Sequence, residues 1–106
     1  MHFAFDSKRL RDMCENEQLL VTKYGSKTAA TIMACLADLD GASTLADLDM
    51  WSIETLADSS IPTGKIALGD TCSILFCSNQ VSHRSTTVDW SNVSRIKITE
   101  IVGSNA

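Results

Sequence analysis

GKIALGDTCSILFC, residues 64–77, contains two short apolar runs separated by a glycine–aspartate pair. Such a pair between two apolar runs is a strong signal for a β-hairpin. A two-residue loop would put Ile66 opposite Ser73, whereas a three-residue loop puts Ile66 opposite Ile74. Only the three-residue loop gathers the apolar side chains on one face, because side chains alternate along a strand. The stretch therefore predicts an antiparallel hairpin with a three-residue loop.

Two more segments predict strands, one at each end of the chain. HFAF, residues 2–5, alternates and is followed by polar residues. Near the C-terminus, Ile96 and Ile98 alternate with Arg95 and Lys97. This period of two predicts a closing strand that buries both isoleucines and places the two cations on its other face.

The segment between the opening strand and the hairpin predicts helices. Asp6 or Ser7 can cap a first helix, and the polar cluster at 15–17 is expected to break or bend it. Ser26 predicts the N-cap of a second helix over residues 27–40. The sequence therefore predicts two helical segments, the first of them interrupted.

The second helix is expected to have an apolar side and a small side. The apolar stripe at helical spacing is predicted to face the core, and it consists of Ala29, Ile32, Met33, Leu36 and Leu39. The small side is predicted to approach the first helix in an antiparallel hairpin, and it consists of Ala30, Ala34 and Ala37.

This order of elements predicts an α+β fold. A strand, helices and then three strands without a helical crossover indicate a small antiparallel or mixed sheet. An N-terminal helical hairpin would pack on one face, and the other face would be open to solvent or to a partner. Residues 49–63 show no period that identifies an element, and residues 78–89 predict a polar surface loop.

Length and composition limit the alternatives. The 106 residues fit a single domain spanning 1–106, and the 44% apolar and 21% charged composition is that of an ordinary globular protein. A net charge of −4 opposes nonspecific attraction to nucleic acid, so any RNA contact must be local. The longest apolar run, residues 32–37, is too short for a secretory or membrane segment, which predicts a cytoplasmic protein without a membrane partner.

Neither a metal nor a cofactor is expected. The four cysteines show no C-x-x-C spacing, and they are interpreted as reduced, partly buried thiols. His2 and His83 are each isolated in sequence, so a Cys/His metal site is not predicted.

Four segments together resemble a known family. They are DSKRLRDMCENE, YGSKTAATIMACLADLDGASTLADL, ILF and DWSNVSRIKITEIV. In these segments the chain resembles the HigB-like toxins, the plasmid-maintenance killer proteins of the RelE/ParE superfamily. The resemblance covers nearly the whole chain, although residues 49–65 match poorly.

The resemblance implies a RelE-like fold and a toxin of a type II toxin–antitoxin system. Members cleave messenger RNA in the ribosome, and a helix-turn-helix antitoxin called HigA silences them. Catalysis takes place on the sheet face away from the helices. The reaction is attack of a 2′-hydroxyl on the adjacent phosphate, which needs a base, a cation for the phosphorane and a donor for the leaving oxygen.

The family's catalytic positions are substituted in this chain. Where the family strand usually reads Tyr-Arg-Leu-Ile-Phe, Ser73 stands at the arginine position. Ala57 aligns with the family's lysine, and Ser104 and Asn105 stand where Tyr-His usually ends the chain. Serine and asparagine can hydrogen-bond to a phosphate, but they supply neither positive charge nor a group that titrates near neutral pH.

Other residues could take over parts of the site. Arg95, Lys97 and Lys65 are predicted on the open sheet face, either as contacts to the RNA backbone or as an ordinary solvated strand surface. His83 in the polar loop could act as a base, or it could be a bystander. Trp51 could stack on a base, but a tryptophan beside apolar runs is more often a core or antitoxin contact.

A separate group of cations precedes these residues. Lys8, Arg9 and Arg11 lie at the start of the first helix, where positive charge opposes the helix dipole. Solvent exposure is the simplest interpretation of this group.

Two functional hypotheses result. The first is a HigB-like toxin that retains endoribonuclease activity through groups such as His83, Arg95, Lys97 and Asn105. The second is an inactive protein of the same fold that acts only by binding an antitoxin or another partner.

Overall fold

The computed structural model of the chain describes residues 2–48, 51–56, 63–69, 72–78 and 95–103. In chain order the elements are β1 His2–Phe5, α1 Lys8–Cys14, α2 Glu17–Tyr24, α3 Ser26–Gly41, a short 3-10 turn Leu45–Asp47, β2 Ser52–Leu56, β3 Thr63–Ala67, β4 Cys72–Ser78 and β5 Arg95–Gly103. The strands of these ranges form one mixed sheet in the order β1-β5-β4-β3-β2. β1 runs parallel to β5, and the other neighbours are antiparallel. The predicted α+β class and mixed sheet are confirmed.

The β3–β4 hairpin has the predicted register. Ile66 pairs with Ile74, and the Leu68 N–H donates to the Cys72 carbonyl at 2.8 Å where the strands meet. The pairing continues across the sheet and builds one inward-facing row of isoleucines, Ile53, Ile66, Ile74 and Ile101. Three of the four are buried, and the row forms the centre of the core on the sheet side.

The next inward row depends on a glycine. Gly64 pairs with Phe76, and a β-carbon added to Gly64 would lie 2.5 Å from Cζ of the Phe76 ring. The ring therefore occupies the space that a side chain on β3 would need. Phe76 is fully buried, so it has little room to move aside.

Polar side chains and a glycine set the helix ends. The Ser7 hydroxyl accepts from the Leu10 N–H at 3.1 Å and caps α1. Asn16 caps α2 by accepting from two backbone N–H groups, which accounts for the predicted break between the two helices. Gly25 both ends α2 and precedes α3 with φ 87°, a conformation that favours glycine. The prediction of Ser26 as N-cap is wrong by one residue, because Ser26 is the first residue of α3.

The buried side of α3 differs from the predicted stripe. Ala29, Ile32 and Leu39 are buried as expected, but Cys35 is buried and Met33 is 40% exposed. The helix is thus rotated toward Cys35 relative to the predicted orientation. The predicted small side is exposed and does not face the first helix; its members are Ala30, Ala34 and Ala37.

All buried apolar side chains of the described residues belong to one core between the helices and one sheet face. A hydrogen bond crosses this core, because the buried Tyr24 hydroxyl donates to the Ile101 carbonyl at 3.2 Å. It joins α2 to β5, two elements far apart in sequence. Among the described helices, none combines the length and apolar character required to span a bilayer.

Two features of the sheet were not predicted. β2 lies in the stretch that showed no period, and it pairs with β3 at the sheet edge. In β5, Ile98 and Ile101 both face inward although they are three positions apart, an odd spacing that strict alternation would place on opposite faces. A register shift opposite Leu75 and Phe76 makes this possible, because an extra residue in a strand reverses the alternation beyond it.

We expect Gly64→Ala to destabilise the fold. The new methyl group would overlap the buried Phe76 ring, and overpacking of this kind costs about 1–3 kcal/mol. Gly41→Ala is the matched control, because nothing lies within 4 Å of a β-carbon at that helical position. Urea unfolding of both variants checks the prediction, and an equal free energy of unfolding for both would contradict it.

We expect Tyr24→Phe to lower the free energy of unfolding by about 0.5–1.5 kcal/mol, because the buried hydroxyl loses its bond to Ile101. Thr31→Val is the control, since the Thr31 hydroxyl makes a comparable 3.1 Å bond to the Lys27 carbonyl at an exposed site. Thermal unfolding compares the two. A Tyr24→Phe variant as stable as the parent would show that the bond does not tie α2 to β5.

Candidate functional site

The outer sheet face consists of the strand side chains that alternate with the buried rows and point away from the helices. Most of these side chains are half-buried, and the half-buried ones include Ala4, Leu56, Thr63, Lys65, Ala67, Ser73, Leu75, Cys77 and Lys97. The predicted separation of Ile96 and Ile98 from Arg95 and Lys97 is confirmed, because both isoleucines are buried on the opposite side.

The predicted site residues that the structure describes share this face. Ser73 in β4 is paired with Ala67 in β3, and Lys65 lies two residues along β3. Lys97 in β5 is paired with Cys77 in β4. Ser104, Asn105 and His83 lie outside the described residues, as does Ala57.

The site residues form a band and not a cluster. Ser73 and Lys65 are diagonal neighbours on adjacent strands, about 7–8 Å apart. From Ser73 to Ser78 the strand rises about 16 Å, and Arg95 lies one residue beyond the partner of Ser78. Ser73 and Arg95 are therefore about 20 Å apart along the strand direction. A single phosphate cannot contact both residues.

Carboxylates offset the positive charge of the outer face. Lys65 Nζ lies 3.4 Å from Glu54 Oε2, and Lys97 Nζ lies 3.5 Å from Asp6 Oδ1. Glu100 also projects from this face, opposite Leu75. Three described cations are thus matched by three carboxylates, and the face carries no excess of positive charge among the described residues.

The parallel pairing of β1 with β5 brings an unpredicted residue to the face. His2 is paired with Arg95, and both residues line a cavity of about 270 Å³ at this end of the sheet. The histidine imidazole is the side chain most often used as a general base, and the guanidinium suits a phosphate. His2 was set aside in the sequence because no other metal-ligand residue lies near it. Only the pairing of two strands more than ninety residues apart shows its neighbour.

The buried thiols are unsuited to nucleophilic catalysis. Burial, with a smaller contribution from the charge of Glu15, raises the pKa of Cys14 to about 11. Burial, with a contribution from Asp38, raises the pKa of Cys35 to about 12. Both thiols lie on the helical side and stay protonated at neutral pH. In the described part of the chain no three His, Cys, Asp or Glu residues come together to hold a metal ion.

Tyr24 and Cys72 also belong to the core and not to the outer face. Burial raises the pKa of the Tyr24 hydroxyl, and charge on neighbouring groups adds to the effect, Cys72 first. Burial likewise raises the pKa of the Cys72 thiol, while a backbone hydrogen bond from Ser73 opposes it. Neither group is therefore positioned to replace the aromatic hydroxyl expected from the family resemblance.

Trp51 lies away from the outer face. Its indole packs against the core, and Nε1–H donates to Asp38 Oδ2 at 2.8 Å. This contact ties the start of β2 to α3. Trp51 is therefore a structural residue here, in agreement with the alternative to base stacking.

The outer face thus offers an imidazole and a guanidinium at one end, two ion-paired lysines in the middle and a serine hydroxyl at the other end. These groups can bind a phosphate and accept a proton, and the described face supplies no other imidazole.

Neither a known protein family nor a curated protein matches this chain, and no solved structure matches it either.

Proposed function

We propose that this chain is the toxin component of a type II toxin–antitoxin system, with the RelE-like fold and N-terminal helical hairpin of the HigB-like toxins. It acts in the cytoplasm, its partner is a HigA-like helix-turn-helix antitoxin, and its substrate is messenger RNA on the ribosome. The proposal rests on the resemblance of the sequence segments and on one observation in the structure.

That observation is the common direction of the predicted substrate-binding residues. Ser73, Lys65, Lys97 and Arg95 all lie on the sheet face opposite the helices. The resemblance assigns catalysis to this face. An ordinary surface strand also exposes charged residues, so the mutual placement of four predicted positions supports the proposal more than any one of them.

The end of the face that holds His2 and Arg95 is the best place for the reaction. The imidazole of His2 takes the proton of the attacking 2′-hydroxyl, whose oxygen bonds to phosphorus while the P–O5′ bond breaks. Arg95 stabilises the negative charge of the phosphorane, and the departing O5′ takes a proton from water or from the imidazolium. The products are a 2′,3′-cyclic phosphate and a 5′-hydroxyl.

The second candidate function is that of an inactive protein-binding module with the same fold. The ion pairs favour it, because Lys65 and Lys97 are each within 3.5 Å of a carboxylate. Ser73 stands where the family has its arginine, and its neighbour Lys65 is ion-paired with Glu54, so the lost positive charge is not restored there. With this function, the chain still binds its partner protein but has no nuclease activity.

We expect induction of the chain without a partner to arrest growth and to produce messenger RNA cleavage, and we expect Arg95→Ala with Lys97→Ala to abolish both effects. The melting temperature should change little, because an exposed ion pair such as Lys97–Asp6 contributes about 0–1 kcal/mol. His2→Ala alone should also abolish cleavage if the imidazole is the base. Primer extension on a ribosome-bound message measures the cleavage.

Arg9→Ala with Lys27→Ala is the matched control, since it removes one arginine and one lysine from the helical side and should leave toxicity intact. A double variant of Arg95 and Lys97 that remains toxic would show that the outer face is not the site. If the His2→Ala variant remains toxic, the outer face can still be the site, but His2 is not the general base.

The binding-module function makes a different prediction. We expect unimpaired growth and intact messages on induction, together with stable copurification of a helix-turn-helix protein encoded next to this chain. Coexpression of the two neighbouring reading frames and affinity purification of the complex provide the measurement. Growth arrest by the chain alone would contradict this second function.

A further inference from the structure

A groove runs between the first two helices on the side away from the sheet. Its walls are one side of α1 and one side of α2, and it has a volume of about 570 Å³. The residues that matter here are Lys8, Arg9, Asp12 and Met13 from α1, with Leu19 and Lys23 from α2. We call this surface the helical groove.

The floor of the helical groove is apolar. Met13 is half-buried against the core, and Leu19 is 48% exposed, the largest exposed fraction among the large apolar side chains of the described residues. A leucine that is half exposed inside a concavity gains free energy when an apolar group covers it. The floor therefore favours an apolar contact from a ligand.

The rim of the helical groove is positive. Lys8, Arg9 and Lys23 surround it with Asp12 as the one described acid, although the chain as a whole has a net charge of −4. Within the described ranges neither Lys8 nor Arg9 forms an ion pair, in contrast to Lys65 and Lys97 on the sheet. The lining of the groove thus has a local excess of positive charge.

These cations do not stabilise the helix that carries them. The first turn of α1 contains no acid, and cations there oppose the helix dipole by about 0.3–1 kcal/mol each. The Ser7 cap, and not charge, stabilises this helix end. Folding stability therefore gives no reason for the pair Lys8 and Arg9.

We propose that the helical groove docks an acidic amphipathic helix of a partner protein. Carboxylates of the partner would face Lys8, Arg9 and Lys23, and an apolar side chain would cover Leu19. α1 and α2 have seven and eight residues, so each wall is about 10–12 Å long and accommodates roughly two turns of a docked helix. Two apolar anchors four residues apart on the ligand match this length.

Other anionic ligands fit the groove less well. Nucleic acid would favour aromatic side chains for stacking, and the lining residues include none. An anionic membrane would require apolar groups that protrude, whereas Leu19 lies in a concavity. The proposal is independent of RNA cleavage, and it goes beyond the proposed toxin function in naming the chemistry of a second surface.

The test is an NMR titration of the ¹⁵N-labelled full chain with two synthetic peptides. The probe is an amidated helical peptide of about fourteen residues that carries two leucines at four-residue spacing between glutamates. The matched peptide has glutamine in place of every glutamate. We expect saturable shifts confined to residues 8–13 and 19–23 and at least about tenfold tighter binding of the glutamate peptide.

Single substitutions then locate the peptide-binding site on the chain. Lys8→Glu should weaken binding about five- to tenfold, and Leu19→Ser should weaken it by a similar factor. Lys27→Glu makes the same charge change on α3, outside the groove, and should leave the affinity unchanged. Circular dichroism of each variant verifies that the fold is retained.

Several results would overturn the proposal. The first is the absence of saturable shifts at millimolar peptide. The second is equal affinity for the glutamine and glutamate peptides. The third is an equal loss of affinity in the Lys8→Glu and Lys27→Glu variants. Tighter groove binding by polyuridylate RNA or by vesicles with one third phosphatidylserine would also overturn it. None of these readouts measures toxicity, so they are distinct from a failure of the proposed toxin function.

Discussion

The register of the β3–β4 hairpin is the constraint on which the rest of the structure depends. With Ile66 opposite Ile74, the inward row extends to Ile53 on one side and Ile101 on the other. Burial of an isoleucine contributes about 1.5–3 kcal/mol, and the net stability of a domain is only about 5–15 kcal/mol. A one-residue slip would put Ile66 opposite Ser73, so one strand would turn its isoleucine outward and its polar residue, Lys65 or Ser73, into the core. The same register thus determines both the core and the outer face.

The parts of the fold that could be predicted are those in which the local pattern and the tertiary contacts agree. The hairpin register, the opening strand and the break at Asn16 all follow from period and capping over a few residues. β2 is different because it is an edge strand in which only Ile53 and Leu56 are partly buried. Its conformation depends on pairing with β3, and no alternation over Ser52–Leu56 indicated it.

The candidate site was predicted less completely, because its arrangement also depends on contacts between residues far apart in sequence. Lys65, Ser73, Arg95 and Lys97 could be assigned to one face, because alternation alone fixes the face. Their separation along the strands, and the partners that neutralise two of them, depend on β2 and on the loop after β1. His2 is the clearest example, since only the parallel pairing of β1 with β5 places it beside Arg95.

The distribution of charge distinguishes the outer sheet face from the helical groove. On the sheet, carboxylates lie within 3.5 Å of Lys65 and Lys97, so that face attracts polyanions weakly. On the helices, Lys8 and Arg9 oppose their own helix dipole, and neither forms an ion pair within the described residues. Long-range attraction of an anionic partner would therefore act through the helical groove, whereas the proposed reaction belongs to the sheet. A partner that binds the groove contacts α1 and α2, and the core bond from Tyr24 to Ile101 connects α2 directly to the strand that carries Arg95 and Lys97.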